Sequence, residues 1–208
     1  GRQQLELLGR PAKTISPGAY RAYLSPAAVS EVLSLLAWGS FSTKEIRSRK
    51  SPLLKLVERE AQLDAAISLS DNRGDGVGPL FGPSGFPKQA CVPLIDAGKF
   101  AGSLTSPRSA KEFDLDTDGV DTGEHPTALD LAPGSIPESS ILQELKTGVY
   151  ISNLWYLNFS DRVSCRMTGM TRFATFWVED GELVAPMNVM RFDESLYRMF
   201  GDNLIGLT

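Results

Sequence analysis

The chain has 208 residues, 42% of them hydrophobic and 22% charged, with a formal net charge of −4. That length supports one domain or two closely packed subdomains with a sizeable core, and the composition is ordinary for a globular protein. The acidic balance argues against direct nucleic-acid binding, which leaves a basic stripe, and no run approaches the ~18 apolar residues of a membrane-spanning helix.

Residues 1–15 form a lead-in with no partner element of their own. Ser16-Pro17-Gly18 marks a turn and Ala19–Leu24 a strand. Ser25 is placed to cap a helix over Pro26–Trp38, with Pro26 at the first position, where a missing N–H goes unnoticed. Val29, Val32, Leu33, Leu35 and Leu36 make an apolar stripe at helical spacing, and Gly39 ends it. Phe41–Lys50, polar and basic, reads as a solvated turn and helix. Leu53–Val57 reads as a short apolar patch and Ala66–Leu69 as a strand. The Gly- and Pro-rich stretch 72–87 reads as a long mobile loop. Val92–Asp96 and Lys99–Leu104 bracket Ala97-Gly98 as a hairpin, after which Ser106 caps a helix of two turns ending at Phe113.

Asp114, Asp116 and Asp118, followed by Gly119, spell the first half of a calcium loop, with carboxylates at alternate positions and a glycine for the bend. The second half is missing. The closing glutamate of such a loop is replaced by His125, Glu124 stands one residue early, and Pro126 stops a second helix. An acidic, solvated loop over 114–125 is therefore expected. His125, Cys91 and Cys165 are the only soft ligands and lack any CxxC or HxxxH spacing, which argues against a closed zinc site. Two cysteines make no disulfide framework, so a reducing cytoplasm is the simpler location. Ser139 or Ser140 is expected to cap a helix over Ile141–Lys146, ended by Thr147-Gly148.

The stretch from Thr147 to Phe192 carries the strongest pattern. Val149-Tyr150-Ile151, Phe173–Val178 and Leu183-Val184-Ala185 are rich in β-branched and aromatic residues, as in strands. Asp180-Gly181 supplies the positive φ of a tight turn, which predicts that Phe173–Val178 pairs antiparallel with Leu183–Pro186. Between the first two runs stand Asn153, Asn158, Asp161, Arg162, Arg166, Thr168 and Arg172, a dense polar set among aromatics. These arginines either stack on Trp155, Tyr156 or Trp177 and pair with Asp161 or Glu179, or line a groove for a peptide, to which a planar guanidinium is suited. If Val163–Thr168 is a strand, Cys165 and Met167 share one face while Arg166 and Thr168 share the other. No P-loop, GxGxxG, GxSxG or HExxH motif is present.

The run from Gly148-Val149-Tyr150 through the polar loop to Phe176-Trp177-Val178-Glu179-Asp180-Gly181 resembles the C-terminal domain of the TldD/PmbA family. The likeness extends back to Ser16–Phe41 and forward to Arg191–Leu204. It implies an α+β fold: a predominantly antiparallel, strongly curved, barrel-like sheet with three or four short helices. It also implies a domain over 16–208, with residues 1–15 as the tail of a further N-terminal domain.

That family has been called a modulator of DNA gyrase and is regarded as a group of metal-dependent peptidases. Its catalytic members carry HExxxH on the helix after the first strand, where two imidazoles grip a metal and a glutamate polarises water. At that place this chain reads Glu31-Val32-Leu33-Ser34-Leu35-Leu36, without a histidine. The resemblance thus implies a non-catalytic, TldE/PmbA-like subunit with no cofactor of its own, paired with a zinc-bearing TldD-type subunit or with a second copy, and acting on extended, unfolded peptides in the cytoplasm. Asn153, Asn158, Arg162, Arg166 and Arg172 are the groove positions on this reading. The alternative is a stand-alone peptidase or metal-binding protein built around His125, Glu124 and the acidic loop.

Overall fold

Turn chemistry and side-chain alternation set the architecture. A computed structural model describes residues 6–208, whose elements include nine strands and five α-helices. The fold is α+β with mainly antiparallel pairing, but the strands divide between two sheets, and neither closes into a barrel.

The chain enters the first sheet with β1 (Ala22–Leu24) and turns into α1 (Pro26–Leu36), capped as expected by Ser25, whose hydroxyl accepts from the Ala28 N–H at 3.4 Å. The helix ends at Leu36, short of Trp38, and Gly39 adopts φ +86° just beyond it. Its apolar stripe (Ala28, Val32, Leu33, Leu35 and Leu36) is buried against the first sheet. Two short helices follow, α2 (Thr43–Arg47) and α3 (Leu54–Val57).

The second sheet comes next, from β2 (Leu69–Asn72), β3 (Cys91–Asp96), β4 (Lys99–Phe100) and, after α4 (Pro107–Phe113), β5 (Leu129–Leu131). Its order is β4-β3-β2-β5 and every pairing is antiparallel. The strand expected over Ala66–Leu69 starts instead at Leu69, because the Asp64 carboxylate accepts from the Ala66 N–H at 2.8 Å and holds that stretch in a turn. β5 has no counterpart in the sequence reading. Ala97-Gly98 turns as expected, and Gly98 is obligatory there. Its φ is +77°, and a Cβ would lie 2.2 Å from the Leu63 carbonyl oxygen. The stretch 73–90 bears a tight tip in which Gly82 N–H donates to Phe86 O and Lys88 N–H to Leu80 O, both at 2.9 Å.

A one-turn 3₁₀ segment (Glu138–Ser140) leads into α5 (Ile141–Leu145), where the Ser140 hydroxyl donates to Pro137 O at 2.9 Å rather than capping the helix. The chain then returns to the first sheet in β6 (Gly148–Asp161), β7 (Arg166–Glu179), β8 (Glu182–Pro186) and β9 (Arg191–Ser195). β1 pairs parallel with β6, β6 antiparallel with β7, and β8 and β9 both pair antiparallel with β7. The predicted hairpin is present, with Asp180 at φ 49°, Gly181 at φ 80° and Glu179 opposite Glu182. One apolar core runs through the molecule, from Val32 and Leu36 on α1 to Leu154 and Met167 on the first sheet and Leu69, Leu94 and Ile95 on the second.

Candidate functional site: the outer face of the long hairpin

β6 and β7 are each 14 residues long, and their outer ends extend past the cover that β1 gives at Val149–Ile151. The polar set is therefore not a loop between strands. Asn153, Asn158 and Asp161 lie on β6, and Arg166, Thr168 and Arg172 on β7. Only Arg162–Cys165 form the turn, so the strand expected over Val163–Thr168 begins at Arg166. The facing nonetheless follows the expected alternation: Cys165 and Met167 are buried, and Arg166 is exposed.

Register brings four of the five groove positions onto one face. Asn153 stands opposite Arg172 and Asn158 opposite Thr168, while Arg172, Met170, Thr168 and Arg166 alternate along β7 on the same side. β9 extends this face with Asp193 opposite Thr168 and Arg191 opposite Met170. The Arg166 guanidinium is bound to the Asp193 carboxylate, and Arg191 Nε donates to the Thr168 hydroxyl at 3.0 Å. Arg162 lies apart at the hairpin tip, over the Phe159 ring at 5.1 Å and within 3.4 Å of the Lys50 carbonyl oxygen. Among the described residues, Asp161 pairs with no arginine. Its carboxylate accepts from the Ser164 hydroxyl and the Val163 N–H, which hold its pKa below the ordinary value.

On this face neither Arg172 nor Arg191 has a carboxylate partner among the described residues; Arg191 is held by the Thr168 hydroxyl, whereas Arg172 rests on aromatic rings alone. It lies 4.2 Å from the Trp155 ring centroid and 4.7 Å from that of Phe173, the aromatic stacking that sequence allowed for. The surrounding rings are open to solvent: Trp155 is 49% exposed, Tyr156 73% and Phe173 71%. Tyr156 and Phe173 both adopt positive φ, 56° and 58°, at the points where the β6–β7 register shifts. Each is the extra residue of a bulge, and bulges re-aim side chains. No sequence signal marks these positions, because neither is a glycine or an asparagine. Beyond Ser152, no described strand lies along the other edge of β6, so this stretch offers a line of backbone groups beside the aromatic cluster.

The α1 helix does not fit a metal. Glu31 is exposed, while Val32, Leu33, Leu35 and Leu36 point into the core. Among the described residues no three His, Cys, Asp or Glu side chains converge to hold an ion. The acidic loop is likewise divided. Asp114 and Asp116 are exposed, whereas Asp118 turns inward and accepts from the Thr105 N–H at 2.8 Å. Burial raises the Asp118 pKa against that hydrogen bond.

Glu124, expected in a solvated loop, is fully buried and ties two helix starts together. Its carboxylate accepts from the Ser42 hydroxyl (2.6 Å) and Lys44 N–H (2.8 Å) at α2, and from the Ser106 N–H (3.0 Å) and hydroxyl (2.8 Å) at α4. Burial pushes its pKa up, but these donors outweigh that and hold it below the ordinary value. Every acceptor site is thus engaged in structure. His125, next to it, faces outward with Nδ1 2.9 Å from the Ala37 carbonyl oxygen. Cys165 is enclosed, and burial pushes its thiol up to about 12 against the lowering effect of Arg162, so it is no nucleophile at neutral pH.

This chain belongs to the family of PmbA/TldA metallopeptidase C-terminal domains, whose model matches residues 17–207. Several solved structures share its fold. A candidate modulator of a DNA gyrase from Thermotoga maritima is 19% identical with a TM-score of 0.79, and the match covers 95% of this chain and 46% of that one. TldE from Thermococcus kodakarensis is 17% identical with a TM-score of 0.74, covering 96% and 46%. A second candidate modulator of DNA gyrase, from Bacteroides thetaiotaomicron, is 16% identical with a TM-score of 0.74, covering 96% and 44%. The chain therefore spans just under half the length of the structures it matches. No curated protein gives a match. Among the described residues, no helix is long and apolar enough to cross a membrane.

Proposed function

We propose that this chain is the non-catalytic, TldE/PmbA-like subunit of a metal-dependent peptidase of the cytoplasm. It pairs with a homologous TldD-type subunit that carries the zinc, and the pair acts on unfolded peptides. The observation that carries this reading is α1. At the place where catalytic relatives hold a metal, four of the six side chains are buried aliphatic groups of the core, and leucine and valine can neither ligate an ion nor polarise water.

The peptide contribution of this subunit lies on the outer hairpin. An extended peptide adds alongside the uncovered stretch of β6, where main-chain hydrogen bonds give affinity and alternate side chains meet the face of Asn153, Asn158, Arg166 and Arg172. Arg172, free of any carboxylate and held by two rings, is placed to receive an acidic side chain or a peptide carbonyl. Arg162 stands at the far end of that line.

The reading is tested by purifying the protein alone and together with a TldD-type partner bearing HExxxH, then assaying cleavage of an unstructured peptide. Cleavage by the mixture alone, lost when the partner's motif is altered, is the expected result. Cleavage by this protein on its own overturns it.

A further inference from the structure

A cleft of about 550 Å³ opens between α2, α3 and β4, on a part of the molecule that the peptide reading does not use. Ile46, Leu54, Val57, Phe100 and Leu115 supply its apolar wall. Thr43 and Ser103 also line it, and their hydroxyls are bonded to each other at 2.7 Å. That volume is in the range of small-ligand sites, which combine apolar walls with a few orienting polar groups.

The charges at its mouth narrow the ligand. Arg47, Arg49 and Glu58 all line the cleft. Arg49 and Glu58 satisfy each other through a two-pronged pair, Nη1 with Oε1 and Nη2 with Oε2, so together they add no net charge. Arg47 has no carboxylate partner among the described residues, and its guanidinium rests over the Phe113 ring at 5.8 Å. One unmatched cation beside an apolar wall suits a ligand with one negative charge on an aliphatic body. A phosphate dianion would call for a second free cation or a cluster of amides.

We propose that this cleft binds a carboxylate borne on a short aliphatic chain, with the carboxylate on Arg47 and the chain against Ile46, Leu54, Val57 and Phe100. Two sources share that chemistry: the C-terminal residue of a peptide, and a free aliphatic acid.

The test is titration calorimetry on the intact protein with three probes: acetyl-Ala-Leu as the free acid, the same peptide as its amide, and hexanoate. The free acid should bind at least about tenfold more tightly than the amide, a difference of one charge-assisted contact. Arg47→Gln should erase that preference and Arg47→Glu should reverse it. Both variants should keep the parent Tm, since Arg47 is exposed and touches only a ring. A peptide acid that outbinds hexanoate identifies the peptide end as the source, and equal binding identifies a free acid. Equal binding of acid and amide, retention of the preference in Arg47→Gln, or absence of binding to any acid probe overturns the proposal. None of these results bears on the β6–β7 face.

Discussion

Replacing Glu124 probes the least expected feature of the fold. Its carboxylate accepts four hydrogen bonds, two from backbone N–H groups and two from hydroxyls, and none of its surface reaches solvent. Glu124→Ala strands the Lys44 and Ser106 N–H groups in a buried site. At about 1–3 kcal/mol for each orphaned donor, with further loss at the hydroxyls and the cavity, the expected cost is about 4 kcal/mol. For a chain of this size, that is a fall in Tm of roughly 12 °C. Glu124→Gln keeps the shape and one acceptor oxygen but turns an amide toward donors, and should cost about 2 kcal/mol.

Acid sharpens the test. The folded pKa of Glu124 lies below its ordinary 4.5, so its stabilisation is complete above that value and is lost as the pH falls through the folded pKa. The stability gap between parent and Glu124→Gln, measured by urea unfolding, should therefore narrow as the pH is lowered below the ordinary glutamate range. A Glu124→Ala protein within about 1 kcal/mol of the parent, the range of an ordinary surface change, would refute the reasoning. So would a parent-to-Gln gap that acid leaves untouched.

Other expectations follow from single contacts. Native protein treated with iodoacetamide at neutral pH should take up label at exposed Cys91 alone, with buried Cys165 reacting only after denaturation, as mass spectrometry would report. Asp71 and Arg73 form an ion pair with both side chains fully buried, and Asp71 also accepts from the Thr127 and Ala128 N–H groups at 3.0 and 2.7 Å. Asp71→Ala leaves an unmatched guanidinium inside and should cost about 3–5 kcal/mol in chemical denaturation. Gly98→Ala should lower Tm strongly, since its methyl group would overlap a carbonyl oxygen at a positive φ. Arg172→Ala, by contrast, should leave stability within about 1 kcal/mol of the parent while weakening peptide binding measured by fluorescence of Trp155.

What sequence revealed and what it hid divides by range. Ser25-Pro26 and Ser106-Pro107 mark helix starts, and Asp180-Gly181 a hairpin, because each works through neighbours a few residues away. The aliphatic stripe of α1 is legible for the same reason. Glu124 was hidden because its partners at Ser42 and Lys44 lie 82 and 80 residues back in the chain, and no local pattern distinguishes it from the exposed acids around it. β5, with Asp130 between two leucines, and β9, with Phe192 as its one apolar residue, are short strands that only their long-range partners make strands. The polar residues of the hairpin stand out in the sequence as a group, but their arrangement turns on bulges at Tyr156 and Phe173, where ordinary L-residues take up a left-handed backbone. The stacking of Arg172 on Trp155 was anticipated. The pairing of Arg166 with Asp193 was not, since it requires β9 to lie beside β7.

The zinc content of the purified protein decides whether α1 can hold an ion. After incubation with excess zinc and passage through a desalting column, elemental analysis should find far less than one equivalent, with no change when Glu31 is replaced by glutamine. One firmly held zinc per chain, released by Glu31→Gln, would contradict the non-catalytic reading.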